Sequence, residues 1–283
     1  MLMALQVSYT VSASILLTAV PLLERPVAVK AAGFDGVELW WPFPVAAPDA
    51  DEVDALVRAL ERADVQLTGL NFVAGDMPAG ERGLMSWPGR QAELRANLDV
   101  VTAIGERTGC RAFNALYGNR LEGADPTAQD DLGAENLHLA AQAVARIGGT
   151  VLLEPVSGVP AYPLKTSADA VAVLDRVASE HGSTNIGLLL DVYHLSVNGG
   201  DVDADIAAFR DRIAHVQVAD APRPWRTRQR CPADRPVDRR SPRRRLHRPG
   251  GPRVQDRRRR PVRVAAARAA RGRARRDPLK EHA

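Results

Sequence analysis

One pattern dominates the chain: short apolar runs alternate with longer stretches that are apolar along one helical face, and the alternation stops near residue 221. Residues 5–11 alternate like a strand, and residues 36–41, 65–72, 111–117, 150–156, 186–192 and 213–218 form further short apolar runs. Between them, residues 19–32, 51–63, 91–108, 134–147, 167–180 and 202–212 carry helical spacing, as in Val53, Leu56, Val57 and Leu60. Seven strands joined by six helices predict parallel β/α units. Continuous runs such as Val151-Leu152-Leu153 and Leu188-Leu189-Leu190 suit strands covered on both faces.

A doubly wound open sheet would satisfy the same alternation. No G-x-G-x-x-G or phosphate-binding loop follows the first strand, however, and polar residues gather at the C-terminal ends of several strands. That is where barrel enzymes carry their chemistry, so the expected fold is α/β, a (β/α)8 TIM barrel whose eighth strand is missing or replaced. A length of 283 residues suffices, since such barrels run to about 250 residues as one domain.

Charge divides the chain in two. From Pro222 onward there are 22 Arg and 1 Lys against 5 acidic residues, a net +18, while residues 1–221 carry −14. The expected organisation is therefore an acidic barrel domain over 1–221 and an Arg/Pro-rich tail over 222–283, too poor in apolar residues to order itself. Cys110 and Cys231 cannot form a disulfide framework and fit a reducing compartment. No signal-like start is seen, and the apolar stretch 15–23 is far short of the roughly 20 residues that span a bilayer. The expected location is the cytoplasm, with no membrane contact.

Three strands end in side chains of metal-ligand type: Glu154, Asp191 and Gln217. Taken one at a time, each acid reads as a helix cap or half of a surface pair. Three on successive strands favour convergence above the barrel, where oxygen ligands suit a hard divalent cation such as Mg²⁺ or Mn²⁺. His194 follows Asp191 by three residues at the same strand mouth and is expected to touch substrate. His215 should share a face with Gln217 through the period of two, with a weaker claim to a role. In the Gly- and Pro-rich loop after the third strand, Arg82 and Arg90 could each clamp a substrate carboxylate, or lie solvated. Asn71 and Asn114 complete the expected substrate contacts.

Several motifs, in order over about three quarters of the chain, resemble the hydroxypyruvate isomerase family of xylose-isomerase-like barrels. They are Ala74-Gly75-Asp76 with Ala79-Gly80-Glu81-Arg82-Gly83, Pro88-Gly89-Arg90, Phe113-Asn114-Ala115-Leu116, Glu154-Pro155, Asp191-Val192-Tyr193-His194 and His215-Val216-Gln217-Val218-Ala219-Asp220. The resemblance implies that Glu154, Asp191 and Gln217 are metal ligands and that Glu154 is one of two proton-moving glutamates. The implied reaction interconverts hydroxypyruvate and tartronate semialdehyde through an enediolate, with a larger sugar acid such as 2-oxotetronate as the alternative substrate. A homo-oligomer is left open.

The resemblance breaks after Asp220. The family pattern there has a G-R-G-E-P-G-type loop and then an eighth strand bearing the second glutamate; this chain continues Pro222-Arg223-Pro224-Trp225-Arg226. The tail reads as a frameshift product. With suitable synonymous codons, residues 223–231 read one base later give G-R-G-E-P-G-S-G, and residues 245–256 give G-Y-T-G-P-V-G-L-E-Y-K, whose glutamate straddles the codons of Arg253 and Val254. Most first and third bases of the shifted codons are set by the written residues, so recovering both motifs in one frame is a real constraint. A chain without that strand is expected to be impaired as an enzyme.

Two other classes fit less well. The basic tail could hold nucleic acid through phosphate contacts, but no aromatic residue follows Trp225 to stack a base, and the body is acidic. No specific nucleic-acid partner is expected. Zinc-dependent repair of abasic DNA would need a histidine-rich metal cluster, which six histidines supply poorly when His247 and His282 fall in the tail.

Overall fold

The computed structural model describes residues 9–219. The tail, its boundary and its shifted-frame reading lie outside the described residues, as does most of the strand expected over 5–11. What is described of it is β1 (Val11–Ser12), followed by a single helical turn, α1 (Ala13–Leu16). A 3-10 turn at Leu22–Glu24 leads into α2 (Arg25–Ala31). The helix expected over 19–32 begins late because Pro26 has no N–H and fits only the first turn.

From there β2 (Gly36–Leu39), α3 (Ala50–Ala63), β3 (Gln66–Asn71), α4 (Gln91–Thr108), β4 (Ala112–Ala115), α5 (Pro126–Ala145) and β5 (Thr150–Leu153) alternate. They are followed by α6 (Ser167–His181), β6 (Ile186–Asp191), α7 (Val192–Val197), α8 (Val202–Phe209) and β7 (Ile213–Gln217). Capping side chains set several helix starts. Asp125 and Asp201 accept the N–H groups of Thr127 and Ala204, and Thr166 and Asp169 cap α6 reciprocally.

All seven strands are parallel and hydrogen-bonded in chain order, β1 to β7. This is TIM-barrel topology with seven of its strands among the described residues. Every residue of β6 is buried, as a strand covered on both faces requires. By contrast β7 alternates between half-buried and exposed positions, with Val216 50% exposed, because among the described residues no further strand or helix covers it. The edges of β1 and β7 are unpaired with each other, which is the liability an open barrel carries. No described helix is long and apolar enough to cross a membrane.

Candidate active site

Parallel strands deliver their last side chains to one mouth. Glu154 follows directly on β5, and Asp191 ends β6; both are buried. Asp191 is also the N-cap of α7, its Oδ1 accepting the His194 N–H at 2.8 Å, so the strand end itself aims the histidine. One ligand atom from each of Glu154, Asp191 and His194 lies within 4.8 Å of the others. Asn114 on β4 donates from Nδ2 to Glu154 Oε2 at 2.7 Å, which leaves its buried Oδ1 without a partner. Asn71 lies in register beside Asn114 at the end of β3 and is buried.

Hydrogen bonds hold this group from behind. Tyr162 Oη donates to the Glu154 carbonyl at 2.9 Å and accepts the Tyr117 N–H at 3.0 Å. The Ser157 N–H points to His194 Nδ1 at 3.2 Å, with Ser157 Oγ 2.8 Å from the same atom. A backbone N–H can only donate, so Nδ1 accepts and the neutral ring carries its proton on Nε2. That nitrogen lies 3.7 Å from Glu154 Oε1.

Burial pushes the Glu154 carboxyl up to about 8, the neighbouring Asp191 charge pushes the same way, and the Asn114 hydrogen bond opposes both. Burial likewise raises Asp191, against the His194 backbone N–H. Burial lowers His194; Asp191 opposes this, while Arg82 and Lys165 add to it. Two buried carboxylates thus converge beside a neutral imidazole. Together with the orphaned Asn114 oxygen, that donor set fits a divalent metal ion.

Gln217 stands elsewhere than in this triad. It is in register with Asp191 on the neighbouring strand, but its Nε2 donates to Glu38 Oε2 at 2.7 Å. Glu38, on β2, also takes His215 Nε2 at 2.7 Å and Thr10 Oγ1 at 2.9 Å. Burial alone would raise Glu38, yet the hydrogen bonds from His215, Gln217 and Thr10 hold its carboxyl below the usual range; Glu38 in turn raises His215.

The loop over residues 75–90 separates its two arginines. Arg90 is engaged by Glu93 through two bonds of 2.5 and 2.9 Å and by Glu81 at 3.2 Å, and it lies over the Trp87 ring. Of the two readings left open for Arg90, neither the substrate clamp nor the solvated charge describes it here, because its charge is paired with Glu81 of the loop and Glu93 of α4. Among the described residues Arg82 donates from one nitrogen, to the Met77 and Glu81 carbonyls, and its charge reaches His194. Gly83, with φ +101°, holds Arg82 in place: a Cβ there would lie 1.8 Å from the Leu116 carbonyl oxygen. Gly83→Ala is expected to cost on the order of 2–3 kcal/mol, read as a lowered midpoint in urea unfolding.

Sequence reasoning passed over Glu38, Ser157, Tyr162 and Lys165. Glu38 carried a signal, a single acid inside the run Gly36-Val37-Glu38-Leu39 whose neighbours Val37 and Leu39 are both buried. Lys165 carried none. It is placed by the Val156 and Val159 carbonyls, which Nζ bonds at 3.4 and 2.5 Å, and its charge reaches His194.

A barrel with acids converging at the C-terminal mouth defines a class, and the sequence profile of the xylose isomerase-like TIM barrel matches residues 26–250. A Streptomyces coelicolor protein named "Putative hydroxypyruvate isomerase" is 50% identical over 218 residues, 76% of this chain and 78% of that one. The 2-oxo-tetronate isomerase of Cupriavidus necator is 31% identical over 205 residues, covering 71% and 74%. Among solved structures, an AP endonuclease, family 2, from Brucella melitensis superposes with a TM-score of 0.67 at 32% identity, covering 76% of this chain and 80% of that one. The chain belongs to the hydroxypyruvate isomerase family of xylose isomerase-like barrels and is by that membership an isomerase.

Proposed function

We propose that the barrel is built to interconvert hydroxypyruvate and tartronate semialdehyde. The observation that carries this reading is the group Glu154–Asp191–His194, two buried carboxylates and a half-buried imidazole within 4.8 Å at the barrel mouth. Glu154, Asp191 and Gln217 would hold Mg²⁺ or Mn²⁺, which when bound polarises the oxygens of a hydroxy-oxo acid. The carboxylate of Glu154 takes the proton from the hydroxymethyl carbon, and an acid on the far side returns a proton to the former carbonyl carbon. His194, with its proton on Nε2, donates to a substrate oxygen. Asn114 and Asn71 line the same mouth.

Arg82 and Lys165 supply positive field for the substrate carboxylate. Arg82→Ala is expected to raise KM about tenfold or more with a smaller change in kcat, measured in steady-state assays. Hydroxypyruvate is favoured because it stands in the name of the relative at 50% identity, "Putative hydroxypyruvate isomerase"; 2-oxotetronate is the competing substrate, named for the one at 31%. A cytoplasmic setting is part of this reading, in keeping with Cys110 as a free buried thiol. No nucleic-acid or membrane partner enters this reading, and self-association is left to a solution measurement of mass.

The tail belongs to this proposal as a frameshift product, since the acid that returns the proton is read only in the shifted frame. The direct test incubates the frame-restored protein with hydroxypyruvate and Mn²⁺ and follows tartronate semialdehyde by NMR. Metal-dependent conversion supports the assignment. Turnover of 2-oxotetronate but not hydroxypyruvate would reassign the substrate, and turnover of neither would overturn the reading.

A further inference from the structure

We propose that Glu38 is a positioning residue that fixes which end of the Gln217 amide faces the metal site; this rests on the metal-site reading above. An ionised carboxylate can only accept hydrogen bonds, and Glu38 accepts from Thr10, just before β1, and from His215 and Gln217, both on β7. Gln217 therefore turns its NH₂ to Glu38 at 2.7 Å. The other end of an amide is its carbonyl oxygen. Paired residues of neighbouring parallel strands share a face, and Gln217 is paired with Asp191, so Oε1 is left for the side of the mouth where Asp191 and Glu154 lie.

The need for such a device follows from the ligand. A carboxylate presents oxygen whichever way it rotates, whereas a glutamine flipped by 180° presents an NH₂ that repels a cation. A site using glutamine where a third acid could stand needs something to forbid the flip. Glu38 does so from 179 residues away in sequence, on a strand that contributes no ligand of its own. Outer groups that orient a ligand change metal affinity about 10- to 100-fold when removed.

The experiment is a double-mutant comparison of Mn²⁺ affinity on the full chain by calorimetry, with unfolding followed for every variant. Glu38→Gln is expected to weaken Mn²⁺ binding about tenfold or more when Gln217 is present, and by less than about twofold in a Gln217→Ala background. Equal losses in both backgrounds would show that Glu38 acts only on the fold, and no loss in either would also overturn the proposal. If Glu38→Gln does not fold, Glu38→Asp, which keeps the charge but draws the acceptor back, carries the same comparison.

A second readout needs no metal. In metal-free protein the Gln217 side-chain amide protons should be shifted downfield and slow to exchange by NMR, and Glu38→Ala, which leaves no side-chain acceptor, should remove both signatures. Absence of them in the parent overturns the positioning role. Their presence in a parent that binds no Mn²⁺ would instead sink the metal-site reading while leaving the Glu38–Gln217 bond intact.

Discussion

Glu154→Gln is expected to cut isomerisation by a factor of roughly a thousand or more while making the metal-free protein more stable at pH 8. The first effect follows because an amide cannot take a proton from carbon. The second follows from burial, which together with the Asp191 charge raises the Glu154 carboxyl from its ordinary value of 4.5 to about 8. Between those two values the folded protein holds a proton that the unfolded chain has released. Stability of the metal-free parent therefore falls as pH rises from 4.5 towards 8. Glutamine has no such loss and can still accept the Asn114 hydrogen bond.

The two proteins should thus melt alike near pH 4 and diverge by on the order of a few kcal/mol at pH 8. Mn²⁺ should then stabilise the parent and leave the variant nearly unchanged. Urea unfolding at both pH values, with chelator and with Mn²⁺, reads all of this. A parent whose stability is flat across the window would remove the buried-acid argument.

Restoring the shifted frame after Ala221 is expected to raise isomerase activity by about 10²- to 10⁴-fold over the written chain, the usual weight of one general acid–base group. On the proposed shifted reading the sequence would supply the glutamate-bearing strand, and among the described residues β7 and β1 leave unpaired edges. Unfolding of the restored protein should also be more cooperative. Sequencing the gene from the codon of Val218 to the stop decides whether a base was lost or gained near Ala221. An intact written frame, with equal activity in the two proteins, would leave the frameshift reading with nothing to explain.

The strands were legible because they are apolar on both faces: Val151–Leu153 and Leu188–Leu190 are almost wholly buried, as their composition requires. The first two turns of α5 were hidden. Its opening residues are polar and include Gly133, a poor helix former, which is there because a Cβ would meet the Tyr117 hydroxyl at 2.6 Å. The turn α7 was read as strand mouth, since its start depends on an Asp191 cap that spacing alone does not reveal. At the site, Glu154, Asp191, His194 and Asn114 were visible as strand-end polar groups, and the structure gathers them. The ties of Glu38 to His215 and Gln217 span 177 and 179 residues and exist only once the barrel has curled, so local pattern could not give them. Arg82 and Arg90 looked alike in sequence; the Glu81 and Glu93 carboxylates tell them apart.

Each strand of the sheet pairs with the strand made just before it. During synthesis, then, every new β/α unit finds its neighbour already waiting, and no early segment depends on a late one until the ring must shut. A fault encoded after Ala221 would consequently be met when most of the core is assembled. Its burden would fall on the proteases and chaperones that judge finished proteins, rather than on the ribosome-bound steps that begin them.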